Sequence, residues 1–185
     1  MVQQFRFEKT GFPEVIRITP FSASDDRGGI VKDYAEEPFA ENGILFTPVE
    51  TIYIESHKGV LRGLHFQRVQ QQPKLIRCLS GKVWSAIVDI RKESPSFGKW
   101  ISEEISERNS RALFVPEGFA FGTLAMEDSL LSSKCGQRFY AEYDSGIYWN
   151  DPDLDIQWPI DQTSVVIISE KDKRLQSLKE YREST

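Results

Sequence analysis

The sequence predicts an all-β protein, a sandwich or barrel with one short helical segment at its C-terminal end. Three observations carry this. Short runs rich in β-branched and aromatic residues recur along the chain. Gly, Pro, Asp and Ser turn signals separate them at intervals of roughly 8–12 residues, the spacing of sandwiches and barrels rather than βαβ units. Only the final stretch has apolar residues at helical spacing. With 185 residues and no repeat, linker or low-complexity tract, the chain reads as a single domain over 1–185 with a sizeable core.

In chain order, Val15-Ile16-Arg17-Ile18 is a short apolar piece between Pro13 and Pro20. Residues 25–29, Asp-Asp-Arg-Gly-Gly, form a turn, because aspartate bonds its own backbone and glycine accepts positive φ. Residues 33–42 hold a short helix or a loop. Strands are expected over 51–54, 60–66 and 75–79, and residues 80–82 turn the chain into 83–90, a strand buried on both faces. A Pro95-containing loop over 91–98 precedes strands at 99–101 and 112–115, with the polar link 106–111 between them. Pro116-Glu117-Gly118 turns into 119–126, and 129–134 and 146–149 complete the set. Leu175, Leu178 and Tyr181 make 171–182 one surface helix.

Apolar residues at 39% and charged residues at 28% describe a globular rather than a disordered chain. The formal charge of −5 argues against a nucleic-acid partner, which needs a basic footprint. A few arginines gathered round one diphosphate are compatible with it. Cys78 and Cys135 lack paired spacing and read as reduced, buried thiols. The N-terminus has no signal-peptide core, and no run is long enough to span a bilayer. A cytoplasmic protein with no membrane partner is expected.

Candidate chemistry centres on Lys58 to Gln67, which holds His65, one of two histidines. A histidine in an apolar strand is commonly a packed core residue. Here Arg62, Lys74 and Arg77 lie close in sequence, and Gly59 and Gly63 let backbone approach a ligand. A titratable base among fixed cations suits a small anionic substrate, the cations holding charge while the imidazole moves a proton. Two histidines eight residues apart and two distant cysteines do not make a metal site, so a metal-free, cofactor-free site is expected. Neither a nucleophile elbow nor a phosphate loop is present in the sequence. On the residues alone Asp172 reads as a helix cap, Lys74 as a strand-edge charge and Arg27 as turn surface.

A series of ordered motifs sets these residues in a wider pattern. They are Asp25-x-Arg27-Gly28, Gly59-Val-Leu-Arg62-Gly-Leu-His65-Phe-Gln67, Lys74-Leu-Ile-Arg77-Cys and Val88-Asp-Ile-Arg91. Ser94-Pro-Ser-Phe-Gly-Lys-Trp100, Val115-Pro-Glu-Gly-Phe-Ala120, Gly146-Ile-x-Trp149-Asn-Asp151-Pro, Trp158-Pro-Ile160 and Ser169-x-Lys-Asp172 follow. Together they resemble the dTDP-4-dehydrorhamnose 3,5-epimerase family. The resemblance implies a cupin jelly-roll, a homodimer with shared strands, and a nucleotide-diphosphate 4-keto-6-deoxy sugar as substrate. It also implies a place in deoxysugar and surface-polysaccharide (O-antigen type) biosynthesis. His65 would be the base that takes a proton beside the C4 ketone, Asp172 the carboxylate that orients it, and Lys74 the cation on the enolate oxygen. Arg27 and Arg62 would grip the diphosphate. Gln67, Ser133, Phe121 and Ser85 complete the implied substrate-binding set.

The sequence also departs from that family. A tyrosine serving as general acid before a lysine is Ser133 here, followed by Lys134. A second histidine becomes Phe121, an aspartate on the strand after the Gly81 turn becomes Ser85, and a Gln-x-Asn pair becomes Glu50 and Ile52. Losing a positioned acid implies inversion at C3 only, with water, Ser133, Cys135 or Tyr140 returning the proton. The alternatives are an ordinary 3,5-epimerase in which Tyr140 or Tyr143 fills the gap, and a silent sugar-nucleotide-binding cupin.

Overall fold

A computed structural model describes residues 2–184. Two antiparallel sheets face each other, the jelly-roll expected. One has five strands, in the order β10 (Trp100–Ser106), β9 (Lys82–Asp89), β12 (Phe119–Ala125), β7 (Leu61–Gln67) and β14 (Asp144–Gly146). The other has six: β2 (Arg6–Lys9), β3 (Ile16–Thr19), β11 (Ala112–Val115), β8 (Lys74–Ser80), β13 (Ser129–Cys135) and β6 (Glu50–Ser56). A third, small sheet joins β1 (Val2–Gln3), β4 (Phe21–Asp25) and β5 (Gly28–Lys32).

Strand alternation explains how the core divides. Along β9, Val83 and Ile87 point between the two large sheets, where Ile76, Leu113, Phe119 and Leu131 meet them. Ala86 and Val88 point the other way, against Leu154, Ile156, Trp158 and Leu178 of the C-terminal segment. This strand is buried on both faces because that segment covers its outer one. The six-stranded sheet is likewise covered outside by α1 (Glu36–Glu41), whose Phe39 packs on Ile18, Leu75 and Phe114.

Several element boundaries differ from the sequence reading. The turn at 25–29 closes a hairpin, β4–β5, in which the Asp25 carboxylate accepts the Arg27 backbone N–H at 2.9 Å. β2 was not evident, because its side chains are half-buried at most and carry no alternating apolar face. The strand expected at 99–101 extends to Ser106, and that expected at 146–149 lies earlier, as β14. The single helix over 171–182 is two pieces, a 3-10 turn Asp172–Arg174 and α2 (Leu178–Glu183). The break arises because Ser177 and Glu180 form a capping box that starts a new helix, while Asp172 turns into the protein. Among the described residues no helix is long and apolar enough to cross a membrane.

Candidate active site

β7 and β12 pair with an irregularity, the register shifting between Phe121 and Thr123. Gly63 sits at this step with φ +108°, where a Cβ would lie 2.7 Å from the Phe121 carbonyl oxygen, so only glycine fits. The distortion aims the Gly63 N–H at Asp172, whose Oδ2 accepts it at 3.1 Å. The other oxygen, Oδ1, meets His65 Nε2 at 2.9 Å. Asp172 is thus not a helix cap: its side chain, 5% exposed, is held behind the imidazole.

Burial alone would raise the Asp172 carboxyl, but the His65 hydrogen bond, the His65 charge and the Gly63 amide outweigh it and hold it below the usual range. An ionised carboxylate only accepts hydrogen bonds. His65 Nε2 must therefore carry the hydrogen, which leaves Nδ1 as the basic atom. His65 is partly open, and its ring lines the cavity between the two large sheets.

That cavity encloses about 90 Å³, and Arg62, Lys74, Phe121, Thr123 and Ser133 also line it. Lys74, at the start of β8, faces it from the opposite sheet. Burial pushes its ammonium below the ordinary lysine range, and its side chain makes no hydrogen bond or ion pair among the described residues. A buried cation without a partner, facing a hollow, is suited to an anionic group arriving there. Arg62 reaches across to β6, donating to the Ser56 hydroxyl and the Glu55 carbonyl, both at 3.0 Å. Phe121 lies directly opposite His65 in the β7–β12 register and gives the cavity an apolar wall.

Three expected site residues are placed otherwise. Ser85 is fully buried and its hydroxyl donates to the Glu103 carbonyl at 2.7 Å, so it is a strand–strand tie outside the cavity lining. Gln67 borders a narrower hollow beside His65, but its amide donates to the carbonyls of Gln70 and Arg138 and accepts from the Tyr140 N–H. It tethers the segment after β13. Arg27, its side chain 88% exposed at the hairpin tip, pairs with Asp25 and does not line this chain's own cavity. Tyr140 and Tyr143 pack against each other and do not line it either. Glu50 accepts from the Gln72 side-chain amide and the Phe139 N–H. Thr123 escaped the sequence reading, although it lies two residues beyond Phe121 on the same strand face. Among the described residues no three His, Cys, Asp or Glu gather as metal ligands.

Residues 9–180 match the family model described as dTDP-4-dehydrorhamnose 3,5-epimerase. The chain is 43% identical to the Methanothermobacter thermautotrophicus dTDP-4-dehydrorhamnose 3,5-epimerase, over 96% of both chains. The Legionella pneumophila dTDP-6-deoxy-D-glucose-3,5-epimerase, solved in complex with dTDP-4-keto-L-rhamnose, superposes with a TM-score of 0.91 at 34% identity, over 95% of this chain and 94% of that one. ChmJ, a 3'-monoepimerase from Streptomyces bikiniensis solved with dTDP-quinovose, has a TM-score of 0.85 at 25% identity, over 92% and 87%. With a jelly-roll core and a match along nearly its whole length, the chain belongs to the dTDP-4-dehydrorhamnose 3,5-epimerase family.

Proposed function

We propose that this chain epimerises a nucleotide-diphosphate-linked 4-keto-6-deoxyhexose at C3 alone. The observation that carries the reading is an Asp172-backed His65 facing the unpartnered Lys74 across a cavity that no tyrosine lines. The C4 ketone acidifies the C3 hydrogen. His65 Nδ1 removes it, Asp172 balances the imidazolium that forms, and Lys74 takes the charge developing on the ketone oxygen. Return of a proton to the opposite ring face inverts the centre. A phenol would be the natural acid for a second centre, and Ser133 stands where the family carries one. Two relatives bear on this: one is named as a 3,5-epimerase and one as a 3'-monoepimerase, so similar scaffolds serve both outcomes.

Arg62 is the proposed diphosphate ligand; it lines the cavity and has guanidinium N–H groups to spare beyond its two bonds to β6. Arg27 joins it only if the β4–β5 hairpin reaches a second copy, so the reading includes a homodimer. Ile30 and Val31, exposed on that hairpin, are apolar surface for such a contact. The pathway expected is cytoplasmic deoxysugar and surface-polysaccharide synthesis.

The test is incubation with dTDP-4-keto-6-deoxyglucose in heavy water, followed by proton NMR of the sugar. Loss of the C3 proton signal with retention of C5 supports the reading. Equal exchange at both carbons assigns the ordinary two-centre activity, and binding without exchange assigns a silent binder.

A further inference from the structure

We propose that Ser133 and Cys135 act as a relay that returns the proton to C3. The Ser133 hydroxyl gives its hydrogen to the carbon as it takes one from the Cys135 thiol. The inference rests on the epimerase reading and names the acid that reading leaves open.

Ser133 is 5% exposed and lines the cavity that His65 and Lys74 line. Its Oγ lies 3.7 Å from the Cys135 sulfur, within reach of a hydrogen bond to sulfur. The thiol's other neighbour of hydrogen-bonding type is also on Ser133, the carbonyl oxygen at 3.9 Å. Cys135 is buried and does not line the cavity, so Ser133 is its route to a substrate. Across the sheet, Cys135 stands directly opposite Lys74 in the β13–β8 register. Such a pair sets its Cβ atoms about 5 Å apart on one face. The thiol and the ammonium accordingly feel each other's charge.

The two large sheets supply the two faces. His65 lines the cavity from β7 of one sheet, and Ser133 lines it from β13 of the other. A sugar ring lying between the sheets turns one face to the imidazole and the other to Ser133, so the relay acts opposite the base. A serine hydroxyl alone is a weak acid, and the thiol behind it is the stronger one. Burial pushes that thiol up, with the Ser133 hydrogen bond and the Lys74 charge opposing, so it keeps its proton at neutral pH and has it to give. In the step the C3–H bond forms as the serine O–H bond breaks, and a new O–H bond forms as the S–H bond breaks. The enolate becomes a ketone and the sulfur a thiolate. Negative charge thus passes from the ketone oxygen to the sulfur, and the Lys74 ammonium faces both. The thiolate regains a proton from solvent through Ser133 once product has left, as the His65 imidazolium releases one, so no proton is gained or lost overall. Ser133 is the catalytic residue here, and Cys135 is a positioning residue that resupplies it.

The experiment separates proton removal from proton return. In heavy water, deuterium at C3 of recovered substrate reports removal by His65 with return to the same face, and formation of the C3 epimer reports return to the opposite face. Cys135→Ala and Ser133→Ala are each expected to lower inversion about 10²-fold while C3 exchange stays within about threefold of wild type. Combining the two is expected to cost no more than either alone, since both break one relay. Ser133→Cys in the Cys135→Ala background brings a thiol to the cavity itself and is expected to restore inversion. Unchanged inversion in either alanine variant, or no rescue by that thiol, overturns the proposal. So does a proportional fall of exchange and inversion, the mark of a purely structural pair. No exchange in the wild type overturns the epimerase reading and this inference together.

Discussion

Asp172→Asn tests the site through one pair of atoms. In the native arrangement the carboxylate accepts twice, from His65 Nε2 at 2.9 Å and from the Gly63 N–H at 3.1 Å. An asparagine side chain has one acceptor and one donor end. If its oxygen keeps the Gly63 bond, its NH₂ faces His65 Nε2 and forces the imidazole hydrogen onto Nδ1, the atom that must be basic. If its oxygen faces His65, the NH₂ confronts a buried N–H. Either way a charge-assisted hydrogen bond worth about 1.5–3 kcal/mol is lost, which at 1.36 kcal/mol per decade lowers the rate about 10- to 150-fold. The assay is the initial rate of C3 deuterium incorporation, with a thermal melt to verify the fold and KM expected near the wild-type value. An exchange rate within threefold of wild type refutes the reasoning. The pH dependence follows with its sign. The Asp172 carboxyl is held below its ordinary value, so its contribution to stability is complete above the unfolded value of about 3.9 and is lost only as pH falls through the lower folded one.

Lys74→Met is expected to reduce turnover by about 10²–10³-fold, as loss of an oxyanion stabiliser does. Because burial depresses Lys74, the unfolded chain binds its proton more tightly, so the same variant is expected to melt at a higher temperature. Wild-type turnover is expected to fall as pH rises, at a pH below the ordinary lysine range. Arg27→Ala is expected to raise KM about tenfold or more with kcat retained, since a charged hydrogen bond contributes about 1.5–3 kcal/mol, and light scattering should show a dimer. An unchanged KM removes Arg27 from the site. Asp89 is fully buried and accepts from Arg91, Ser94 and Ser96. Burial opposes its ionisation, but these donors outweigh it and hold the carboxyl well below its usual range. Its contribution is complete above about pH 4 and persists into strong acid. Asp89→Ala should cost about 3 kcal/mol, the lower end for a broken buried pair because Arg91 is partly in solvent, read as a shift in urea midpoint.

The strands that build the cavity were legible because their β-branched runs end at turn residues that the fold also uses, as at Gly81 and Gly118. The C-terminal break was not, since helical spacing of Leu175, Leu178 and Tyr181 masked the Ser177–Glu180 box. His65 was legible from its flanking cations and glycines. Its partner Asp172 lies 107 residues away, and only the family resemblance singled it out. The Ser85 bond to the neighbouring strand's backbone was not legible, because no local pattern reports where a small hydroxyl satisfies itself. Thr123 carries no motif, and its place in the cavity lining emerges only once β12, β8 and β13 surround one cavity.

The most direct test of the account replaces His65 by asparagine and follows C3 deuteration of a dTDP-4-keto-6-deoxy sugar in heavy water, with binding measured alongside. The account predicts that the sugar nucleotide still binds and that deuterium no longer enters C3. Deuteration at the wild-type rate would contradict it.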